Sequence, residues 1–265
     1  MEIIDHRLVG AVRVDLFDRD RTGDVDDDDA VFQTSTLEAL LDGAYEGDLT
    51  VGELLAHGDL GLGTIDHLDG EMIVVDGAAF VARSDGSVHP VAGEVGTPFA
   101  AVCWFRPEPA VALGPFGNLA DLTSAIDAVA PEVAVLAVRI EGRFDRVLVR
   151  SVSRQDPPYP PLREVVAHQS EWELASVDGT LLGFRFPDTT GGLEVPGWHL
   201  HFIDDGRTAG GHVMGVSGPG GTLRFEATED LHVEVPASIS GYSPSGSDRR
   251  SEIDAVEGRS GGQAN

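Results

Sequence analysis

Residues 195–213 read VPGWHLHFIDDGRTAGGHV, two β-type segments joined by the turn sequence DDG. In a β-strand, residues i and i+2 point to the same face, so His199 and His201 are predicted to present their imidazoles side by side. The turn at 204–206 lets the second segment return antiparallel and brings His212 alongside them. The stretch therefore predicts a β-hairpin with three histidines on one face.

Three neutral imidazoles suit zinc and other borderline divalent metals, and three protein ligands leave coordination positions open for a substrate. A bare H-x-H pair is also common on solvated strand faces, so the spacing leaves both interpretations open. A cupin-type barrel carries H-x-H as well. It would need a glutamate shortly after the second histidine, where this chain has Asp204, Asp205 and Gly206.

The remainder of the chain is rich in short β-type runs separated by Gly, Asp and Pro turn signals. Thr36 and Thr50 are predicted to cap short helices, the second through a T-x-x-E capping box with Glu53. Further segments have helical spacing (119–130 and 251–257) or predict a hairpin about Gly142 (133–140 and 146–152). The fold class expected is α+β (mixed α/β) and β-rich, with mixed or antiparallel sheets, few short helices, and the metal site on strands of the C-terminal half.

The sequence Asp-Pro-Pro-Tyr-Pro-Pro at 156–161 cannot form a regular element and marks a boundary between two β-rich halves. Four segments are therefore predicted. They are an acidic N-terminal extension at 1–30, flexible or forming a surface strand, a β-rich domain at 31–155, a metal-binding β-rich domain at 156–240, and a C-terminal tail at 241–265.

The chain is strongly acidic, with a formal net charge of -27, and all 18 of its basic residues are arginine. This excess disfavours binding to nucleic acid or to an anionic membrane. It is typical of adaptation to a salt-filled cytoplasm, as in a halophilic archaeon, although an ordinary acidic protein from a GC-rich genome would also prefer arginine.

The N-terminus does not resemble a secretion signal and no apolar run could span a membrane, so a cytoplasmic location is expected. The single cysteine, Cys103, lies in an apolar run and is expected to be buried.

Two further features could contribute to a site. Glu71 follows a turn glycine and opens an apolar strand, where its carboxylate could serve a metal or act as an acid or base, or be merely solvated. If the strand continues to 154, alternation places Arg146, Arg150 and Arg154 on one face. Such a face could bind a substrate carboxylate, or could be a solvated surface in an acidic protein.

At these residues the chain resembles the α-acetolactate decarboxylases. The matching stretches run in the family's order and are FQTST at 32–36, YEGDLT at 45–50, GDLGLGTIDHLDGEM at 58–72, RSVSRQDPPYPPL at 150–162, QSE at 169–171, GTLLGFRFP at 179–187 and the histidine stretch at 195–213. The resemblance implies a two-domain β-rich fold, a homodimer, and a zinc ion held by His199, His201 and His212. It also implies that Glu71 is a site carboxylate and Arg150 the site arginine. A further glutamate from the C-terminal tail is matched by Glu257, with Glu252 as the alternative.

The function that the resemblance implies is decarboxylation of (S)-2-acetolactate to (R)-acetoin and CO2, a metal-assisted reaction through an enediolate intermediate. Two alternatives stay open at this point. One is a zinc enzyme of another class on the same scaffold, and the other is a non-catalytic metal-binding module. The sequence leaves open which metal is loaded and which glutamate donates the proton.

Overall fold

The computed structural model describes residues 12–13, 30–130, 135–187, 190, 192–228, 231–236 and 249–257. The strands in these residues are β1 Val12–Arg13, β2 Val31–Thr34, β3 Leu49–Thr50, β4 Leu60–Thr64, β5 Glu71–Val75, β6 Ala78–Ala82, β7 Val88–Pro90, β8 Gly96–Thr97, β9 Phe99–Cys103, β10 Val111–Leu113, β11 Val135–Ser151, β12 Ser170–Phe186, β13 Gly197–Asp204, β14 Gly210–Ser217, β15 Gly221–Thr228 and β16 Leu231–Glu234. The helices are α1 Leu37–Leu41, α2 Val51–Leu54, α3 Leu119–Asp127, α4 Leu162–Val166 and α5 Arg249–Val256, with a 3₁₀ turn at Asp66–Leu68.

The helices are short and begin where the sequence places their caps. The Thr36 hydroxyl accepts a hydrogen bond from the Ala39 amide at 3.3 Å, which fixes the start of α1. Thr50 and Glu53 form the predicted capping box at the start of α2. No helix among the described residues is long and apolar enough to cross a membrane.

One sheet has eight strands in the order β1-β16-β2-β9-β4-β5-β6-β7. The pairings of β16 with β1 and with β2 are parallel, and the pairings from β2 onward are antiparallel. A strand from the C-terminal half of the chain therefore completes a sheet built from the N-terminal half.

The other large sheet has six strands in the order β10-β15-β11-β12-β13-β14. Its central strands β11 and β12 have 17 residues each and pair along most of their length. The second half of β11 also pairs with β14, at positions 146–150. The hydrogen-bond ladders of β11, β12, β13 and β14 therefore close on themselves as a ring.

The two sheets pack face to face around a shared apolar core. Leu62 and Ile73 of the eight-stranded sheet belong to the same buried cluster as Leu182, Phe184 and Ile203 of the six-stranded sheet, and each of these five side chains is inaccessible to solvent. Because burial of such side chains is the main driving force of folding, this core holds the sheets in one arrangement. The predicted β-rich class with few short helices is confirmed.

The hairpin predicted about Gly142 is wrong, because the chain runs straight through this glycine as part of β11. Gly142 pairs with Gly179 of β12, and a Cβ atom at Gly142 would lie 3.2 Å from the Gly221 backbone. The glycine thus permits close approach of neighbouring strands rather than a turn.

The sheets do not divide at the predicted boundary of 155/156. Strands β10 and β11 precede that boundary but lie in the six-stranded sheet with β12–β15, and β16 follows it but lies in the eight-stranded sheet. Proline removes regular structure locally, whereas strand pairing between distant segments decides the sheets. Most of the predicted N-terminal extension 1–30 lies outside the described residues, apart from β1 and Ala30. Most of the predicted tail 241–265 does so as well, apart from 249–257.

Candidate metal centre

The predicted histidine hairpin is present as β13 and β14. His201 stands directly opposite His212 in the antiparallel register, and His199 lies two residues earlier on the same face of β13. All three side chains are buried, and one ligand nitrogen from each lies within 4.8 Å of the others. The structure thus brings together the three histidines that the sequence singled out, and their role as metal ligands stays a prediction.

Gly211, immediately before His212, allows β14 to approach β11 closely. Its φ is +150°, and a Cβ atom there would lie 2.7 Å from the Arg150 carbonyl oxygen. A side chain at 211 would therefore push β14 away from β11, and with it the third histidine.

His201 has a ring orientation that suits a metal ligand. Its Nδ1 lies 2.8 Å from the Met72 carbonyl oxygen, which can only accept a hydrogen bond, so Nδ1 carries the proton. The Nε2 atom is then the lone-pair nitrogen, and it is buried with no hydrogen-bond partner among the described residues. Burial, assisted by the neighbouring His199, holds the pKa of His201 well below its usual range, which keeps the ring neutral. A buried neutral imidazole with its tautomer fixed by a carbonyl is the form in which histidine binds zinc, so these residues fit a divalent metal.

Two carboxylates flank the histidines. An oxygen of Glu71 lies 3.6 Å from His201 Nε2, and an oxygen of Glu257 lies 3.6 Å from His212 Nε2, both too long for hydrogen bonds. Both side chains are largely buried. Burial raises the pKa of Glu71 to about 7, opposed by the charge of Arg150 and reinforced by Glu257. Glu257, directly after α5, thus lies beside the histidines, whereas the alternative, Glu252, lies within the helix.

Arg150 lies near the end of β11, paired with His212 of β14, and its side chain lines the same pocket. It is 4% exposed, and its Nη1 donates a hydrogen bond of 3.0 Å to the Gln169 side-chain oxygen. The predicted three-arginine face is not formed. Arg146 points to solvent beside Glu173, and Arg154 lies beyond the end of β11.

Apolar side chains form the rest of the pocket wall. They come from α1, the 3₁₀ turn, β9, the end of β11, α4, the segment before β13 and the last turn of α5, and they are Leu37, Leu40, Leu68, Phe99, Val152, Leu162, Val166, Val195 and Val256. Gly63 and Thr64 of β4 complete the wall. A wall of this kind excludes water and strengthens electrostatic interactions inside the pocket.

Sequence reasoning missed Glu194, a fully buried carboxyl just before the histidine strand. Its Oε2 accepts a hydrogen bond from the Val195 amide at 3.0 Å, and its Oε1 has no hydrogen-bond partner among the described residues. Burial raises the pKa of Glu194 to about 8, opposed by the Val195 amide and reinforced by the charge of Glu257. In the sequence, Glu194 is a single acidic residue within LEVPG at 193–197. This segment has no hydrophobic periodicity from which burial could have been predicted.

Two further histidines, His57 and His67, do not join the cluster. His57 stacks on Phe32 with ring centroids 3.9 Å apart. His67 lies 2.6 Å from the Tyr159 hydroxyl through its Nδ1.

Residues 31–243 match the family described as Alpha-acetolactate decarboxylase. The chain belongs to this family. It is 44% identical to the alpha-acetolactate decarboxylase of Methylococcus capsulatus over 211 residues, which cover 79% of this chain and 81% of the relative. It is 41% identical to the alpha-acetolactate decarboxylase of Methanosarcina mazei over 231 residues, which cover 86% of this chain and 80% of the relative.

The same family is found among solved structures. The crystal structure of alpha-acetolactate decarboxylase from Bacillus subtilis strain 168 superposes with a TM-score of 0.83 at 34% sequence identity, covering 86% of this chain and 99% of that chain. The β-rich architecture described above is therefore the architecture of the α-acetolactate decarboxylases.

Proposed function

We propose that this chain is a carboxy-lyase that decarboxylates (S)-2-acetolactate to (R)-acetoin and CO2, as a step of acetoin biosynthesis. Its membership of the α-acetolactate decarboxylase family supports the reaction. The observation that carries the chemistry is that the three histidines cluster beside one pocket with a mostly apolar wall, which His199, His212, Arg150 and the largely buried carboxyls Glu71 and Glu257 line.

The cofactor that suits the three histidines is zinc or another borderline divalent metal. His199, His201 and His212 would hold it through neutral ring nitrogens, and the Met72 carbonyl would keep His201 in the ligating tautomer. When bound, such a metal supplies a Lewis acid that stabilises negative charge on substrate oxygens.

Arg150 binds and orients the substrate carboxylate. Its guanidinium is permanently charged and buried, so it attracts an anion more strongly than an exposed arginine would. Held at this end of the pocket, the carboxylate is set to leave as CO2. The bond from C2 to the carboxyl carbon breaks, and its electron pair delocalises from C2 into the adjacent ketone as an enediolate.

A buried carboxylic acid then protonates C2. Glu71 and Glu257 are the candidates for this step, because each lies 3.6 Å from a histidine nitrogen of the cluster. Burial favours the protonated form of Glu71. Delivery from one side of the planar intermediate gives a single enantiomer of acetoin. The proton returns to the carboxylate from solvent before the next turnover.

The proposal also covers the cellular environment of the enzyme and its oligomeric state. The net charge of -27 and the absence of lysine support a salt-filled cytoplasm, as in a halophilic archaeon. The resemblance to the family supports a homodimer.

The test is acetoin formation from racemic 2-acetolactate by purified protein in molar KCl, before and after chelation. We expect turnover that is lost on chelation and returns with zinc. Absence of turnover by folded, zinc-loaded protein would refute the decarboxylase assignment and favour a non-catalytic metal-binding module. Turnover of other substrates alone would favour a zinc enzyme of another class.

A further inference from the structure

The side chain of Gln169 links Arg150 to a carboxylate without letting the two meet. Its amide oxygen accepts a hydrogen bond from Arg150 Nη1 at 3.0 Å, and its amide nitrogen donates one to a Glu171 oxygen at 2.6 Å. The three residues thus form a chain in which a neutral amide separates a cation from an anion.

The strand register makes this separation unexpected. Arg150 of β11 stands directly opposite Glu171 of β12, and opposite charges at such positions normally pair. On the same two strands, Arg146 does form an ion pair with Glu173, at 2.5 Å, although Glu173 is diagonal to it and not directly opposite. Among the described residues, however, no carboxylate oxygen lies within 4.0 Å of the Arg150 guanidinium.

The amide group is suited to both tasks. Its oxygen orients the Arg150 guanidinium through one hydrogen bond without neutralising it. Its NH2 group holds the Glu171 carboxylate, which could otherwise neutralise Arg150, in a second hydrogen bond. A glutamate at this position could do neither, because its negative charge would pair with Arg150 and repel Glu171. The Arg150 Nε–H group remains buried without a hydrogen-bond partner among the described residues, so it is available to an incoming anion.

We infer that Gln169 is a positioning residue for substrate binding, which orients Arg150 and keeps Glu171 from neutralising it, so that Arg150 carries its full charge toward the substrate carboxylate. This inference rests on the proposed function, in which Arg150 takes that carboxylate. Gln169 acts only through Arg150, so it affects ligands that carry a carboxylate and leaves uncharged ligands unaffected.

The experiment compares steady-state kinetics of the zinc-loaded wild type with Gln169→Leu, Gln169→Glu and Gln169→Leu/Glu171→Gln. In Gln169→Leu, Arg150 loses its acceptor and Glu171 is released to pair with it. We expect KM for 2-acetolactate to rise about tenfold, with a smaller change in kcat, as for loss of a hydrogen bond to a charged group. Adding Glu171→Gln should lower KM most of the way back to the wild-type value, because the carboxylate that competes with the substrate for Arg150 is gone. Gln169→Glu should raise KM as well.

Two controls separate this role from a structural one. Glu173→Gln makes the same change to the carboxylate paired with Arg146 and should leave KM unchanged. Inhibition by 2-hydroxy-2-methylpropanoate, which carries a carboxylate, should weaken in the Gln169 variants, whereas inhibition by uncharged acetoin should not.

Wild-type KM in folded Gln169 variants would overturn the inference while leaving the decarboxylase intact. A rise in KM that Glu171→Gln does not relieve, with an equal weakening of acetoin inhibition, would also overturn it in favour of a general packing defect. If the wild type itself fails to turn over 2-acetolactate, the proposed function fails first and this inference falls with it.

Discussion

Replacing the buried Glu194 by glutamine should stabilise the protein at neutral pH and leave its stability nearly unchanged in acid. The pKa of Glu194 is about 8 in the folded chain against an ordinary value of 4.5, and burial is the main cause. At neutral pH the folded state therefore holds a proton that the unfolded state has released. Glutamine has the same shape, accepts from the Val195 amide in the same way, and does not ionise.

The sign and size of the effect follow from this difference in bound protons. Below pH 4.5 both states of the wild type are protonated, so Glu194 contributes no pH dependence. As the pH rises from 4.5 to 8 the unfolded state loses its proton first, and the free energy of unfolding falls by about 1.36 kcal/mol per pH unit. Between pH 4.5 and pH 7 this loss amounts to about 3 kcal/mol, and a side chain that does not ionise avoids it. The Glu194→Gln variant should therefore be more stable than the wild type at pH 7 by about that amount.

The assay is urea-induced unfolding of both proteins at pH 4.5 and pH 7, in one concentration of KCl. Glu94→Gln is the matched control, because Glu94 is exposed in a turn and its replacement should have little effect at either pH. A Glu194→Gln variant less stable than the wild type at pH 7, or an equal difference at both pH values, would refute the reasoning.

Three further predictions concern the site and the charge. His201→Ala should abolish zinc binding, measured as metal content after dialysis, and lower acetoin formation at least 100-fold, roughly the loss of a Lewis acid; retained turnover without metal would contradict the proposed chemistry. Gly211→Ala should lower the free energy of unfolding by about 2–4 kcal/mol, since its Cβ would meet the Arg150 carbonyl. Thermal melting measures this loss, with Gly114→Ala as the control, because a Cβ atom at Gly114 would meet open space. Lowering KCl from molar to about 0.1 M should lower the melting temperature. The Debye length grows from about 3 to 10 Å, so the acidic side chains behind the net charge of -27 repel one another over a longer distance. A melting temperature independent of KCl would contradict salt adaptation.

The histidine hairpin could be predicted because its determinants are local. The alternation of His199 and His201 and the turn at 204–206 specify a face and a return direction without reference to distant residues. The caps at Thr36 and Thr50 were predictable for the same reason.

The rest depended on contacts between distant segments. Gly142 looks like a turn glycine, and only the approach of Gly221 shows why the strand continues through it. Arg146 and Arg150 have the same parity on β11, yet one is exposed and the other is buried, because pocket walls cover only one end of the strand. The burial of Glu194 arises from the same tertiary packing, which strand alternation does not encode.

The closed ring of β11, β12, β13 and β14 bears on how the protein would take up its metal. Both histidine-bearing strands have hydrogen-bonded neighbours on either side, β13 between β12 and β14, and β14 between β13 and β11. The backbone at His201 and His212 is therefore paired on both sides, and the backbone at His199 is paired with β12. Little conformational entropy remains to be lost when an ion arrives, so its affinity is not reduced by ordering of the backbone. A metal ion could therefore leave and re-enter such a site while strands β11, β12, β13 and β14 stay folded.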